Sequence, residues 1–240
     1  MSERDAILAR IRDALRTPAP RPGAHDLPPL ASARAASVRA REHLPPVGGT
    51  PEEQLALFVR HSEELRTQFH LADDIAAAHA FLSQLAAEEK WQRVATHEGP
   101  LSSPAAAATG VAVLTLREGY DVNELERCDA GLTECDALIA QTGSVLLTAR
   151  SGGGRALSVL PPHHVVIARR SQLLPDLPAA YDLLHQRYGP AHWPGMATLI
   201  TGPSRTGDIE RILILGAHGP KKLTVVLVEK PDHQGSAFPS

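Results

Sequence analysis

Residues 165–188, VVIARRSQLLPDLPAAYDLLHQRY, contain the two kinds of element from which an α/β fold is built. The run Val165–Ala168 is continuously apolar and mostly β-branched, which predicts a buried strand. The segment Asp176–Tyr188 predicts a helix, and a strand followed by a helix is the repeating unit of a parallel sheet.

The same alternation of short β-branched runs with helical stretches extends in both directions from this unit, beginning near residue 91. Most of the runs are continuously apolar rather than alternating, as expected of strands that are covered on both faces. The sequence therefore predicts an α/β fold of three layers around a mainly parallel sheet. The other predicted strands are Arg93–Thr96, Val111–Leu116, Ser144–Thr148, Ala197–Thr201 and Thr224–Val228.

The N-terminal part of the chain has a different composition. Residues 2–16 predict a charged amphipathic helix, and residues 17–31 carry five prolines, which favour an extended linker or a surface arm. We therefore divide the chain into a helical, proline-rich arm over residues 1–49 and an α/β domain over residues 50–240.

Two helix starts carry recognisable capping residues. In Thr50-Pro51-Glu52-Glu53 the threonine predicts the cap, the proline occupies the first helical position and Glu53 completes a capping box. Asp73 or Asp74 is expected to cap a second helix that reaches about Glu89.

The composition excludes several classes of function. The formal net charge is -3 and aromatic residues make up 4% of the chain, so neither a basic surface nor a stacking platform favours nucleic acid. The N-terminal helix carries charges throughout and lacks the apolar core of a signal peptide. The sequence predicts a cytoplasmic protein without a membrane span.

Cys128 and Cys135 are the two cysteines of the chain. An iron–sulfur cluster usually takes four cysteine ligands, so no cluster is expected in this chain. Their spacing does not match a zinc site either, and no metal site is predicted. Both side chains are interpreted as small buried hydrophobic groups, and the cofactor, if there is one, stays unidentified.

Two loops rich in glycine and hydroxyl residues flank the predicted strand Ser144–Thr148. Gln141–Ser144 precedes it, either as a ligand-binding loop or as a tight helix-to-strand turn. Ser151–Arg155 follows it, and its glycines would let the backbone approach an anion, unless the run is merely a flexible loop. The candidate ligand-binding residues here are Thr142, Gly143, Ser144, Gly152, Gly153, Gly154 and Arg155.

A third loop follows the predicted strand Ala197–Thr201, at the kind of strand end where ligands of α/β sheets collect. Its hydroxyl side chains could cap a following helix or, together with a guanidinium, bind a phosphate or carboxylate. Its two carboxylates could accept hydrogen bonds from hydroxyls or bases. Before the last strand, His218 is a candidate general acid or base, the alternative being a loop histidine that bonds the backbone. The residues concerned are Gly202, Pro203, Ser204, Arg205, Thr206, Asp208, Glu210, His218 and Gly219.

Four runs together resemble the lactate-utilisation (LUD) domain family. They are AGLTECDALIAQTGSVLL at 130–147, GGGRALSVLPPHHVVI at 152–167, GPSRTGDIE at 202–210 and GAHGPKKLTVVLVE at 216–229. The resemblance covers roughly residues 50–230, and the pair GPSRTGDIE and GAHGP is its most specific part.

This resemblance implies a fold similar to the superfamily of sugar-phosphate isomerases and CoA transferases, with a Rossmann-like sheet. It also implies that the chain is the cluster-free component of an iron–sulfur system that oxidises L-lactate to pyruvate. The expected ligand is a small organic acid or anionic cofactor, and the expected partners are the iron–sulfur components. The positions that match the family pattern are Thr142, Gly143, Arg155, Gly202–Thr206, Asp208, Glu210 and His218–Pro220. Gln141 departs from it, because family members often place a carboxylate there.

Three hypotheses follow. As a non-redox subunit, the chain would pair a carboxylate with Arg205 or Arg155 and would use His218 with Asp208 for proton transfer. As a stand-alone enzyme on a sugar phosphate or CoA ester, it would need a catalytic carboxylate, for which Glu118 and Glu134 are the nearest candidates. As a scaffold with a vestigial site, it would use its arm to wrap a partner or a second copy.

The first hypothesis makes a spatial prediction. It requires segments 142–155, 202–210 and 218–220 to meet at one rim of the sheet.

Overall fold

The computed structural model describes residues 3–16, 44–189, 192–206, 214–216 and 218–230. It divides the chain into two units, residues 1–44 and residues 45–240. The first unit contains α1 (Glu3–Arg16), which is the predicted N-terminal helix. The proline-rich stretch 17–31 lies outside the described residues.

The second unit alternates helices and strands over residues 51–133, and its later described residues form mainly strands. Its helices are α2 (Pro51–Leu65), α3 (Ile75–Glu88), α4 (Ser102–Ala108), α5 (Val122–Glu126) and α6 (Leu177–Tyr188). Its strands are β1 (Gln68–Ala72), β2 (Arg93–His97), β3 (Ala112–Leu116), β4 (Ala130–Thr133), β5 (Ala137–Ile139), β6 (Ser144–Thr148), β7 (His163–Arg169), β8 (Leu173–Leu174), β9 (Ala197–Ile200), β10 (Arg205–Thr206), β11 (Ile214–Leu215) and β12 (Lys222–Val228).

A six-stranded sheet forms the centre of this unit, in the order β1-β12-β7-β4-β2-β3. Every neighbouring pair in it is parallel. The predicted α/β fold with a mainly parallel sheet is thus confirmed. Two of its strands were not predicted, because β1 is partly exposed and β4 is only four residues long.

Two predicted strands belong elsewhere. Ser144–Thr148 and Ala197–Thr201 correspond to β6 and β9, which pair antiparallel in a separate four-stranded sheet of order β8-β5-β6-β9. The fully buried pattern of β6 resembles that of a parallel strand because this small sheet is itself packed between two layers.

The two faces of the six-stranded sheet are covered differently. Side chains of α3 and α4, such as Leu82 and Ala105, pack with Val165 and Ile167 on one face. On the other face, Phe58 of α2 and strands of the four-stranded sheet pack against Val166 and its neighbours. Helix α6 then covers the outer face of the four-stranded sheet. Helices therefore lie on both faces, as expected, and on the second face the four-stranded sheet supplies part of the cover.

The predicted helix starts have the expected caps. The Thr50 hydroxyl accepts from Glu53 N at 3.2 Å, and Glu53 Oε2 accepts from Thr50 N at 3.1 Å, which completes the capping box. Asp74, rather than Asp73, caps α3 by accepting from Ala77 N. Among the helices described, none has the length and apolar character needed to cross a membrane.

Candidate ligand-binding site

A cavity of about 290 Å³ lies where β9 and the loop after it face the amino ends of β7 and β12. This volume is close to the lower end of the range for small-molecule sites, so the cavity suits a small metabolite. The described residues that line it are Ser158, Val159, His164, Met196, Thr198, Leu199, Ile200, Thr201, Gly202, Pro203, Ser204, His218, Gly219, Pro220 and Leu223.

Backbone hydrogen bonds hold the two loops of the cavity together. Ser204 N donates to Pro220 O at 2.9 Å, and Gly216 N donates to Ser204 O at the same distance. Gly219 lies against Ser204 so closely that an added Cβ would be 3.3 Å from the Cβ of Ser204. The segments at 202–204 and 218–220, which the sequence singles out, are therefore joined in space.

Five of the predicted site residues line this cavity, namely Gly202, Pro203, Ser204, His218 and Gly219. Arg205 and Thr206 follow directly as β10, which pairs antiparallel with β11. Arg205 is exposed at the cavity's Thr201 end, where Nη2 lies 3.5 Å from Thr201 O. Asp208 and Glu210 lie outside the described residues, so the structure does not place these two predicted carboxylates.

The charge of the cavity favours an anion over a cation. None of its described lining residues is acidic, and Arg205 approaches its edge. Hydroxyl groups of Ser158, Thr198 and Ser204 add hydrogen-bonding capacity along the wall. The predicted anionic ligand is therefore compatible with this environment.

The turn at Thr142–Ser144 lies at the same end of β9 as this loop. Ser144 Oγ and Thr201 Oγ1 are 2.8 Å apart, which joins the turn to the residue before Gly202. Gly143 has a φ of +62° and packs on α2, where a Cβ would overlap His61. The turn connects β5 to β6 as a hairpin, so the alternative of a helix-to-strand turn is wrong.

The glycine loop at 151–155 uses its amide groups internally. Gly152 N donates to Thr148 O at 2.9 Å, and Gly154 N donates to Ala149 O at 2.8 Å. Gly153 N donates to Arg150 O at 3.4 Å. These N–H groups close a turn instead of pointing at a ligand, which removes the basis for an anion-binding loop at Gly152, Gly153 and Gly154.

The glycine loop also lies at the far end of β6 from the cavity loop Gly202–Ser204. Thr148 pairs with Ala197, whereas Val145 pairs with Ile200. Because β6 and β9 are antiparallel, the loops that follow them leave opposite ends of the sheet. The predicted meeting of all three segments is therefore wrong for residues 151–155. Arg155 instead donates to Gly195 O at 2.9 Å, beside Met196.

His164 is a lining residue that the sequence analysis did not select. It is 1% exposed, and its Nε2 lies 2.9 Å from Thr133 Oγ1. Burial lowers the pKa of His164 to about 3, with a smaller contribution from His163. The imidazole is therefore neutral. Side chains alternate along a strand, so His163 and His164 are expected to face opposite sides of the sheet. This alternation is the sequence signal that could have distinguished the two histidines.

A second polar cluster surrounds the buried carboxylate of Asp136. Oδ1 accepts from Arg187 Nη1 at 2.6 Å and from the Tyr188 hydroxyl at 2.9 Å, while Oδ2 accepts from Ser151 Oγ at 2.6 Å. Burial opposes ionisation, but the hydrogen bonds outweigh it and hold the pKa of Asp136 below its usual range. This cluster joins the glycine loop to α6. Residues of the protein itself supply the hydrogen bonds of the Asp136 carboxylate, so we interpret the cluster as structural.

Polar groups at the carboxyl ends of β2 and β4 are likewise paired within the protein. Glu134 Oε1 accepts from Leu101 N at 2.8 Å and from Ser102 N at 3.1 Å. His97 Nδ1 lies 3.2 Å from Glu98 O. The carboxyl ends of β2 and β4, which are of the kind at which ligands of parallel sheets commonly bind, are thus occupied by internal contacts.

Cys128 and Cys135 are free and buried, as the sequence predicts. Burial raises the pKa of the Cys135 thiol above its ordinary value, and burial also raises that of Cys128. Over the described parts of the chain, no group of three or more histidine, cysteine, aspartate or glutamate side chains is arranged to hold a metal ion.

A six-stranded parallel sheet with helices packed against it and a small cavity beside it defines the chain as an α/β protein. The chain belongs to the LUD domain family, because the sequence model of that family matches residues 55–228. The cavity-lining segments 202–204 and 218–220 both fall within this match.

Curated relatives match a shorter part of the chain. Lactate utilization protein C of Geobacillus sp. (strain WCH70) is 34% identical over 109 residues, which cover 45% of each chain. Lactate utilization protein C of Macrococcus caseolyticus (strain JCSC5402) is 37% identical over 105 residues, which cover 43% of this chain and 46% of that protein. The matched segment thus spans less than half the length of these relatives.

A solved structure supports the fold. The crystal structure of a DUF162 family protein from Deinococcus radiodurans superimposes with a TM-score of 0.57 at 22% sequence identity. The superposition covers 75% of this chain and 99% of that one. The more specific likeness to sugar-phosphate isomerases and CoA transferases stays a prediction.

Proposed function

We propose that this chain is the cluster-free component of a system that oxidises L-lactate to pyruvate, and that it binds a small organic acid in the cavity beside β9. The observation that carries the proposal is that segments 202–204 and 218–220 line one cavity without a described carboxylate. The name of the curated relatives, lactate utilization protein C, supports the choice of lactate metabolism.

The proposed ligand fits the groups around the cavity. A carboxylate at its Thr201 end would lie within reach of the Arg205 guanidinium, which already approaches Thr201 O. The Ser204 side chain, which lines the wall, would orient the ligand by a hydrogen bond. His218 is exposed at the same cavity and would exchange protons with the hydroxyl of a hydroxy acid.

The electrons released by the reaction must be accepted by another protein. Oxidation of lactate to pyruvate removes two electrons and two protons, and the two buried cysteines of this chain are too few for an iron–sulfur cluster. We therefore assign electron transfer to iron–sulfur components that associate with this chain. The chain would supply ligand binding rather than redox chemistry.

The stand-alone enzyme hypothesis has less support. It needs a free carboxylate, and the candidate Glu134, which is half-buried, accepts hydrogen bonds from the first backbone amides around α4. A carboxylate held in this way stabilises the helix start and is poorly placed to act as a nucleophile.

The binding part of the proposal is tested by calorimetry on the full chain with L-lactate and pyruvate. Arg205→Ala is expected to weaken binding about tenfold or more, the usual loss when a charged partner is removed. Arg117→Ala is the matched control, because Arg117 is exposed and pairs with Glu98 at the carboxyl end of the sheet. Equal affinity of Arg205→Ala and the unsubstituted chain would refute the assignment of Arg205.

The metabolic part is tested in cell extracts of the source organism. Lactate-dependent reduction of an artificial electron acceptor should disappear when this chain is removed and return when it is added back. Reduction that continues at the same rate without the chain would contradict its membership of the lactate-oxidising system.

A further inference from the structure

One ring nitrogen of His164 has no hydrogen-bond partner, although the side chain is buried and lines the cavity. His164 is 1% exposed, and Nδ1 has no partner among the described residues. A buried polar atom without a hydrogen-bond partner destabilises the folded chain. Beside a cavity, such an atom indicates that a bound molecule completes its hydrogen bonding.

The neighbouring contact decides which tautomer the ring adopts. Thr133 is fully buried, and its only side-chain hydrogen bond among the described residues is the 2.9 Å contact with Nε2 of His164. A buried hydroxyl hydrogen needs an acceptor, so Thr133 donates to Nε2. In a neutral imidazole the proton then resides on Nδ1. The free nitrogen is therefore a donor without an acceptor.

His163 provides an internal comparison. Its Nδ1 also lacks a partner, while its Nε2 lies 2.7 Å from Thr224 Oγ1. Its ring, however, packs edge-on against Trp91 and is not among the cavity-lining residues. Of these two histidines, His164 alone combines an unpaired ring nitrogen with a place in the described cavity lining.

We propose that Nδ1–H of His164 donates a hydrogen bond to a carboxylate oxygen of a short monocarboxylic acid bound in the cavity. This inference rests on the proposed function and assigns a buried recognition residue within it. A neutral donor inside the cavity complements the charged Arg205 at its edge. Burial keeps the ring uncharged near neutral pH, so His164 positions the acid and does not transfer protons.

Two amide substitutions separate the ring nitrogens. In His164→Asn the side-chain amide lies near the former Nδ1, so a donor toward the cavity is retained. In His164→Gln the longer side chain places its amide near the former Nε2, beside Thr133, and the cavity donor is lost. We expect His164→Gln to weaken binding of pyruvate and L-lactate about tenfold and His164→Asn to bind within about threefold of the unsubstituted chain.

His163→Gln is the matched control and is expected to leave affinity unchanged, because His163 lies outside the cavity lining. Nitrogen-15 NMR of the full chain gives a readout independent of affinity. The His164 ring should be the Nδ1–H tautomer, and the Nδ1 signals should shift when pyruvate is added.

The outcomes separate this inference from the proposed function. If the unsubstituted chain binds the acids and the two variants His164→Asn and His164→Gln bind with equal affinity, the His164 contact alone is overturned. An Nε2–H tautomer of His164 overturns it as well. Failure of the unsubstituted chain to bind either acid overturns both the contact and the proposed ligand class.

Discussion

Asp136 and Ser151 are joined by a hydrogen bond in which Ser151 Oγ lies 2.6 Å from Asp136 Oδ2. This bond ties the glycine loop to the start of β5. The other carboxylate oxygen accepts from Arg187 and Tyr188 of α6, so one side chain connects three elements. The cluster therefore contributes to stability through a buried charge that is fully paired.

Asp136→Asn should destabilise the chain strongly. The amide keeps the shape of the carboxylate but removes the charge and turns one acceptor into a donor facing other donors. The expected loss in free energy of unfolding is about 2–4 kcal/mol, as for other broken buried ion pairs. Urea denaturation monitored by circular dichroism measures it.

The matched control is Glu98→Gln in the exposed pair Glu98–Arg117, whose side chains are 68% and 78% exposed. Solvent screens this pair, so the expected loss is below about 1 kcal/mol. Similar losses in free energy of unfolding for Asp136→Asn and Glu98→Gln would show that the Asp136 cluster stabilises the fold no more than an exposed ion pair does.

Gly153→Ala should also destabilise the chain. The φ of Gly153 is +61°, and an added Cβ would overlap Cβ of His97. A residue with a Cβ at this left-handed φ costs about 1–2 kcal/mol. The overlap with His97 adds about 1–3 kcal/mol, so the free energy of unfolding measured by urea denaturation should fall by about 3 kcal/mol.

Gly110→Ala separates the two contributions. Gly110 has a similar φ of +74°, but nothing lies within 4 Å of an added Cβ. It should therefore show the strain cost alone. If Gly153→Ala lowered the free energy of unfolding no more than Gly110→Ala, the close packing of the loop on His97 would not contribute to stability.

The features that sequence could predict are those set by neighbouring residues. The caps of α2, α3 and α6 each join residues three positions apart, namely Thr50 with Glu53, Asp74 with Ala77 and Asp176 with Ala179. Four of the six central parallel strands, namely β2, β3, β7 and β12, follow from apolar runs. These local signals are sufficient for the fold class.

The features that could not be predicted depend on long-range pairing. Strands β5 and β8 have three and two residues, too few for a periodic pattern. Because β6 pairs antiparallel with β9, the glycine loop lies at the opposite end of β6 from the cavity loop Gly202–Ser204. No local sequence signal predicts this antiparallel pairing. Asp136 contacts Tyr188, which is 52 positions away, and stands in the sequence as a single aspartate without a motif.

Neither cysteine should react in the native chain. Cys128 and Cys135 are buried, and burial raises the pKa of each thiol, so little reactive thiolate is present. Iodoacetamide at pH 8 should modify both thiols at least about tenfold more slowly than in the chain unfolded in urea. Mass spectrometry counts the added groups. Rapid labelling of the native chain would contradict the assignment of both as structural side chains.

Acid should destabilise the chain in a window set by two buried histidines. Burial lowers the pKa of His163 to about 4 and that of His164 to about 3, compared with 6.5 for an exposed histidine. As the pH falls below 6.5, the unfolded chain binds protons that the folded chain does not, so the free energy of unfolding decreases. Each histidine contributes up to about 1.4 kcal/mol per pH unit.

The decrease should therefore begin near pH 6.5 and continue until the folded histidines are protonated near pH 4 and pH 3. The lowered pKa of Asp136 acts at the acid end of this range, because its stabilisation is lost only as the pH falls below the ordinary range of a carboxyl group. Urea denaturation at half-unit steps from pH 7 to about pH 4 tests this, with His163→Gln/His164→Gln as the comparison. The double variant should lose most of the slope between pH 6.5 and pH 4, since glutamine does not titrate. An unchanged slope would mean that other groups cause the acid sensitivity.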